Sequence, residues 1–163
     1  METNSAKYGK YIVEHCNNVK RAFEEYGDEL CAVLNVNKSD LSYNVNCHDT
    51  SKYSAEEFTG YKQYFYPEDG AEKNKKKFDE AWLHHENTNP HHPEYWIMRD
   101  DNEIKTLDMP PLYIAEMLLD WQAMSYKFDS SIVDYYNTQG KNKPFSPTTS
   151  AEVKRAIDKV FNK

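Results

Sequence analysis

The sequence predicts an all-α protein folded as a single compact helical bundle. Three observations carry that expectation. Apolar residues recur at helical spacing along most of the chain, and no segment shows the strict alternation of a half-buried strand. A long apolar stretch, "PPLYIAEMLLDWQAMSYKF", opens at Pro110-Pro111 and reads as a central helix. At 163 residues one domain suffices, with a motif-bearing part over residues 8–127 and a helical extension over 128–163.

Taken in order, residues 7–26 place Tyr8, Tyr11, Ile12, Val19, Ala22 and Phe23 near one helix face, and Gly27 is expected to close that helix. A second, short helix is expected over 28–36. Ser39 is the expected N-cap of a third, running toward His48-Asp49. Ser54 and Glu57 form a capping-box pattern that starts another at "SAEEF". Pro67, Asp69 and Gly70 mark a loop. The charged stretch from Ala71 gains an apolar side at Phe78, Ala81 and Trp82, and should stop before Asn89-Pro90, because proline disfavours helix in the preceding residue. Residues 90–109 read as irregular, with a turn at "RDDNE". After Asp129 a short helix is expected, then a capped amphipathic one at "SPTTSAEVKRAIDKVF".

Thirteen Tyr, seven Phe and three Trp supply a large aromatic payload, so a packed core is expected. A formal charge of -7 argues against general affinity for nucleic acid or anionic membrane, since both are polyanions. Cys16, Cys31 and Cys47 form no CxxC pair and their number is odd, which suits reduced thiols. The N-terminus "METNSAKYGKY" has no apolar signal-type core, and no run approaches a membrane span. A cytoplasmic protein is expected.

The chemistry concentrates in histidine and aspartate. "LHHENTNPHHPEYW" packs His84, His85, His91 and His92, four of six histidines, into nine positions around the Asn89-Pro90 break. His48-Asp49 precede Lys52, whose ammonium can meet either a substrate phosphate or a ligand carboxylate. His15 lies on the inward side of the first helix. Asp120 sits in an otherwise apolar helix, and a buried carboxylate there needs a counter-charge or a metal. Imidazole with carboxylate suits Zn, Mn, Fe, Co or Ni. Were a second ion to bind beside the first, Asp49 would be the natural bridging carboxylate and His84 the favoured second-metal ligand, completed by His91 or His92. His85 and the other histidines then stand behind the ligands or donate protons. A loop stacking on Tyr95 and Trp96 is the competing reading of His91-His92. Glu116, one turn before Asp120, either orients a ligand or water or pairs with a cation. Glu14, Asn87 and Asn89 are weaker candidates. "KNKKK" reads as a solvated face and "YKQYFY" as an aromatic core stripe.

The order His15, His48-Asp49, Asp120 resembles the HD superfamily of metal-dependent phosphohydrolases, which are all-helical. That resemblance implies an HD-domain-like bundle in which the four positions hold one divalent metal. Binuclear branches insert further histidines where this chain has His84-His85 and His91-His92, and "HDTSK" resembles their HD-x-x-K form. "HDTSKYSAEEF", "AWLHHENTNPHHPEYW" and "EMLLDW" together look like a family of small bacterial and phage proteins grouped with that fold. The implied activity is hydrolysis of a small phosphorylated molecule, such as a nucleotide, with one or two divalent transition metals, with Asp49, Lys52 and Glu116 in catalytic roles. The same ligand order also hosts di-iron oxygenases, and a metal-stabilised interaction module is a third reading. Two features depart from named branches. The place three after Asp49 holds Lys52 where the nucleotidase branch has an acid, and no Gly-Tyr-Pro follows His-His-Glu as in the cyclic-dinucleotide branch.

Overall fold

The first helix of the computed structural model, which describes every residue except Met1, Asn102 and Lys163, runs unbroken over Asn4–Leu34 (α1). At 1.5 Å per residue it is about 46 Å long. The expected stop at Gly27 does not occur: Leu30 and Leu34 extend the buried face begun by Val19 and Ala22, and that packing outweighs glycine's helix cost. The chain leaves α1 at Asn35, in the left-handed region that Asn tolerates (φ 54°). The helix over Lys38–Cys47 (α2) is capped by Asn37 rather than Ser39, the Asn37 side chain accepting from the Ser39 N–H at 2.8 Å.

The other boundaries follow the capping chemistry. Ser54 accepts from the Glu57 N–H and starts Ala55–Phe65 (α3); Asn74 caps Lys75–Thr88 (α4), which ends before Asn89-Pro90. Pro111–Phe128 (α5) follows Pro110, and Ile132–Thr138 (α6) comes after Asp129. Ser146 caps Pro147–Ala156 (α7), which continues as a wider π-type turn over Ile157–Phe161. The region expected to be irregular holds a two-stranded antiparallel hairpin, Ile97–Arg99 (β1) with Ile104–Thr106 (β2), in register Ile97↔Thr106. Strands of three residues are too short to register as alternation. The expected turn at 99–103 includes Asn102, which lies outside the described residues. No described helix is long and apolar enough to cross a membrane.

α1 packs along α5 and α2, whereas α3 pairs with α4. Gly60 permits that second pairing, because an added Cβ would sit 2.7 Å from Ala81 Cβ and against the Lys77 carbonyl. Two apolar clusters result. The larger joins α1, α2, α5, α6 and α7 through residues such as Val19, Leu41, Ile114 and Leu118; the smaller joins Tyr8, Ile12, Tyr61 and Ala81. The histidines and carboxylates lie at the seam between them.

Candidate metal centre

His48 is the C-cap of α2, and Asp49 follows it in the left-handed conformation (φ 58°, ψ 19°) before a short 3-10 turn, Thr50–Tyr53. The pair is therefore not carried on a continuous helix. The sharp turn aims the two oxygens of Asp49 in different directions. Oδ2 lies 3.2 Å from His15 Nε2 and 3.6 Å from His48 Nε2; Oδ1 lies 3.3 Å from His85 Nε2 and 3.5 Å from His91 Nε2.

Around Oδ2, His15 Nε2 is 3.3 Å from His48 Nε2 and 3.1 Å from Asp120 Oδ1. His15, His48 and Asp120 form one group able to hold an ion, Asp49, His85, His91 and His92 form another, and His48, His91 and Glu116 form a third that shares one histidine with each. All these side chains are buried or nearly so. The sequence set is thus assembled from α1, the α2 terminus, α4, the loop after Pro90 and α5.

The structure treats the two histidine pairs differently from the sequence expectation. Neighbours on a helix point about 100° apart, so only one of His84 and His85 can face the cluster. That one is His85, whereas His84, the expected ligand, turns outward with Nδ1 2.8 Å from Glu57 Oε1 and a 35% exposed side chain. Past Pro90, both His91 and His92 turn inward. Trp96 Nε1 donates to the Pro90 carbonyl at 2.8 Å and fixes this loop. His92 packs edge-on against Trp82 and His85, while Tyr95 and Trp96 pair with each other, so stacking on those two rings does not explain the loop.

Behind the ring nitrogens that face Asp49 stand two buried carboxylates. Glu116 Oε1 accepts from His48 Nδ1 at 2.9 Å and lies 3.2 Å from His91 Nδ1, while Oε2 accepts from Asn44 at 2.9 Å. Glu116 therefore does not line the cavity; it holds one histidine of each group. Glu57 does the same for His85, with Oε2 2.8 Å from Nδ1. In the sequence Glu57 reads only as a capping-box residue, and nothing local distinguishes the two roles; Asn44 and Ser51 carry no local signal either. Asn89 ties the end of α4 to the 3-10 turn by donating to Ser51 Oγ and the His85 carbonyl, whereas Glu14 and Asn87 are exposed.

Assigning the Nδ1 protons to Glu116 and Glu57 leaves Nε2 lone pairs on His48, His85 and His91 aimed at carboxylate oxygen. Lone pair against lone pair at 3.3–3.5 Å is repulsive until positive charge lies between. Consistent with that demand, Asp49 Oδ1, His91 Nε2 and His92 Nε2 are buried without hydrogen-bond partners. Burial opposes a proton on His15 and on His91, yet the carboxylates beside them win, raising His15 to about 9 and His91 to about 10. Burial also opposes charge on Asp49 and Asp120, but His48 and Lys52 beside Asp49, and His15 beside Asp120, hold both well below the usual carboxylate range. Burial keeps His85 and His92 below the ordinary imidazole value. Without an ion, protons supply the positive charge the cluster requires. Neutral imidazoles and carboxylates with no thiolate among them fit a borderline divalent transition metal; the three cysteines are free, and Cys16 Sγ contacts the His48 carbonyl.

Lys52 meets the carboxylate, with Nζ 2.5 Å from Asp49 Oδ2. Its side chain is 13% exposed and borders a cavity of about 540 Å3 whose floor is the cluster. The "KNKKK" segment lies outside that cavity, with Lys75 and Lys76 paired to Asp79 and Glu80 on the same helix face.

No curated protein and no solved structure shows significant similarity to the chain. A family described only as a family of unknown function, DUF5662, matches residues 4–159. The match spans nearly the whole chain, the cluster included, and the protein belongs to that family.

Proposed function

We propose that the protein is a metal-dependent phosphohydrolase of the HD type, in which Asp49 and the histidines around it would hold two divalent ions. The observation that carries this reading is the opposed use of the two Asp49 oxygens, each facing its own imidazoles, with the outer nitrogens of His48 and His91 held by Glu116 and that of His85 by Glu57. His15, His48 and Asp120 would hold one ion, and Asp49, His85, His91 and His92 the other. When bound there, such ions lower the pKa of water toward neutrality and draw charge from a phosphoryl oxygen.

The chain's own residues then have distinct tasks. Glu116 and Glu57 keep Nδ1 protonated and the rings aimed, which raises their basicity toward a cation. Lys52 neutralises Asp49 from the cavity side, where its ammonium can also meet a phosphoryl oxygen. The aromatic walls exclude bulk water and so strengthen each charge interaction at the floor. Overall, water adds across the ester P–O bond: its oxygen joins phosphorus, the alcohol leaves with a proton, and phosphate is released.

The test is elemental analysis of protein purified without added metal, repeated for His48→Ala and Asp120→Ala, followed by phosphomonoester turnover with Mn, Co or Ni. Expected are about two ions per chain in the wild type and depletion in both variants, with turnover tracking metal content. Unchanged metal in both variants sinks the site. A coloured, iron-loaded protein inert toward every ester sinks the hydrolase assignment in favour of oxygen chemistry.

A further inference from the structure

The metal cluster forms only the floor of the cavity. Its walls are aromatic, formed by Tyr11, Tyr61, Phe78, Trp82, Trp121 and Tyr135. Phe65 and Phe128 also line it and remain 52% and 65% exposed, an apolar lip in which Phe65 rests on the rings of Tyr61 and Phe78. The volume, about 540 Å3, falls within the range of small-molecule sites.

Positive charge is scarce in this cleft. Among the described residues no arginine lines it, and the two lysines that do are both engaged: Lys52 with Asp49, and Lys143 with Glu94 at 2.9 Å. A single phosphate can be neutralised at the floor by the ions and Lys52. Any further phosphate would have to lie against Trp and Phe rings without a counter-charge, and stripping a phosphate of water without a partner is costly. An apolar body in the same place would shed its own hydration shell against those rings and gain stacking contacts.

We propose that the cleft selects monophosphate esters of a large apolar or aromatic alcohol and turns away polyphosphates. This rests on the phosphohydrolase reading, and it names the substrate class of that site. Phe65 and Phe128 contribute to selectivity by covering the outer part of the bound alcohol, without touching the reacting atoms.

The test compares ethyl, benzyl and naphthylmethyl phosphate with metal-loaded protein, together with adenosine mono- and triphosphate. The three esters all release primary alkoxides, so differences in kcat/KM report the cleft and not intrinsic reactivity. In parallel, the matching non-hydrolysable phosphonates are titrated by quenching of Trp82 and Trp121 fluorescence. Expected is at least a tenfold rise in kcat/KM from ethyl to naphthylmethyl, and at least a tenfold preference for the adenosine monophosphate over its triphosphate. Phe65→Ala and Phe128→Ala, with folding checked by circular dichroism because Phe65 also packs on Tyr61 and Phe78, should lower the naphthylmethyl value severalfold and the ethyl value by a smaller factor. Equal values for ethyl and naphthylmethyl esters, or preference for the triphosphate, overturn the proposed selectivity while the hydrolase reading stands. Absence of turnover, with phosphonate binding that still tightens from ethyl to naphthylmethyl, preserves the selectivity and overturns the hydrolase reading. Absence of both overturns both.

Discussion

Glu116 and Glu57 make the two halves of the cluster separable by experiment. Each is a buried carboxylate whose hydrogen bonds end on histidine Nδ1 atoms, but Glu116 serves His48 and His91, one from each group, whereas Glu57 serves only His85 within the cluster. Glutamine at 116 can keep its carbonyl where Oε1 accepts from both rings, and Asn44 can rotate its amide to meet the new NH2, so the change removes charge with little change of shape. Losing such an outer carboxylate weakens metal binding by roughly 10- to 100-fold, or about 1.4–2.7 kcal/mol per ion. Glu116→Gln should therefore weaken both ions by that amount. Glu57→Gln should weaken one and leave the other near wild type. Calorimetric titration of chelator-stripped protein with Zn or Mn resolves the two binding steps. The reasoning is refuted if Glu116→Gln titrates like wild type, or if Glu57→Gln weakens both steps equally.

Three further outcomes follow from the same geometry. His85→Ala should lose about one ion per chain by elemental analysis, while His84→Ala, changing a ring that points away, should keep both; the reverse result would mean that α4 is rotated from the orientation described. In excess chelator, stability should depend on pH through His15 and His91, raised to about 9 and about 10 from an ordinary value near 6.5. Their contribution is complete below about pH 6.5 and is lost as pH rises through 9–10, so Tm should fall over that window without metal; a flat profile counts against it. Gly60→Ala should destabilise by about 1–3 kcal/mol in urea unfolding, because the new methyl meets Ala81 and the Lys77 backbone; an unchanged midpoint would show that α3 and α4 can separate freely.

Much of the fold is legible locally because helix ends are local chemistry. Ser54, Pro110-Pro111, Ser146 and the Asn89-Pro90 break each satisfy or remove backbone groups within a few residues, and each marks a real boundary. Gly27 misleads because its helix is sustained by contacts to distant segments, which no window around it contains. The same division runs through the site. That histidines and aspartates belong together is readable from their types and order, and the structure does gather His15, His48, Asp49, His85, His91, His92 and Asp120. Which member of His84-His85 faces inward is readable too: His85 falls one turn after Ala81 and two after Phe78, on the apolar side of α4, whereas His84 is turned about 100° from it. Glu57 escapes because only the finished α3–α4 pair brings it under His85.

The seam between the two apolar clusters has a consequence for how the molecule breathes. Its larger body is closed by interdigitated aliphatic side chains, whereas α3 and α4 adhere through a small aromatic patch and a wall of polar groups. Polar walls can be wetted at modest cost once their charge is unbalanced. Ions bound as proposed would draw His85 of α4 toward the same cluster as His15 of α1 and Asp120 of α5, clasping α4 to the larger body. Without them the α3–α4 hairpin would be the part to swing first, and a shortage of metal would be felt as exposure of that hairpin to exchange and proteases well before the α1–α5 body unravels.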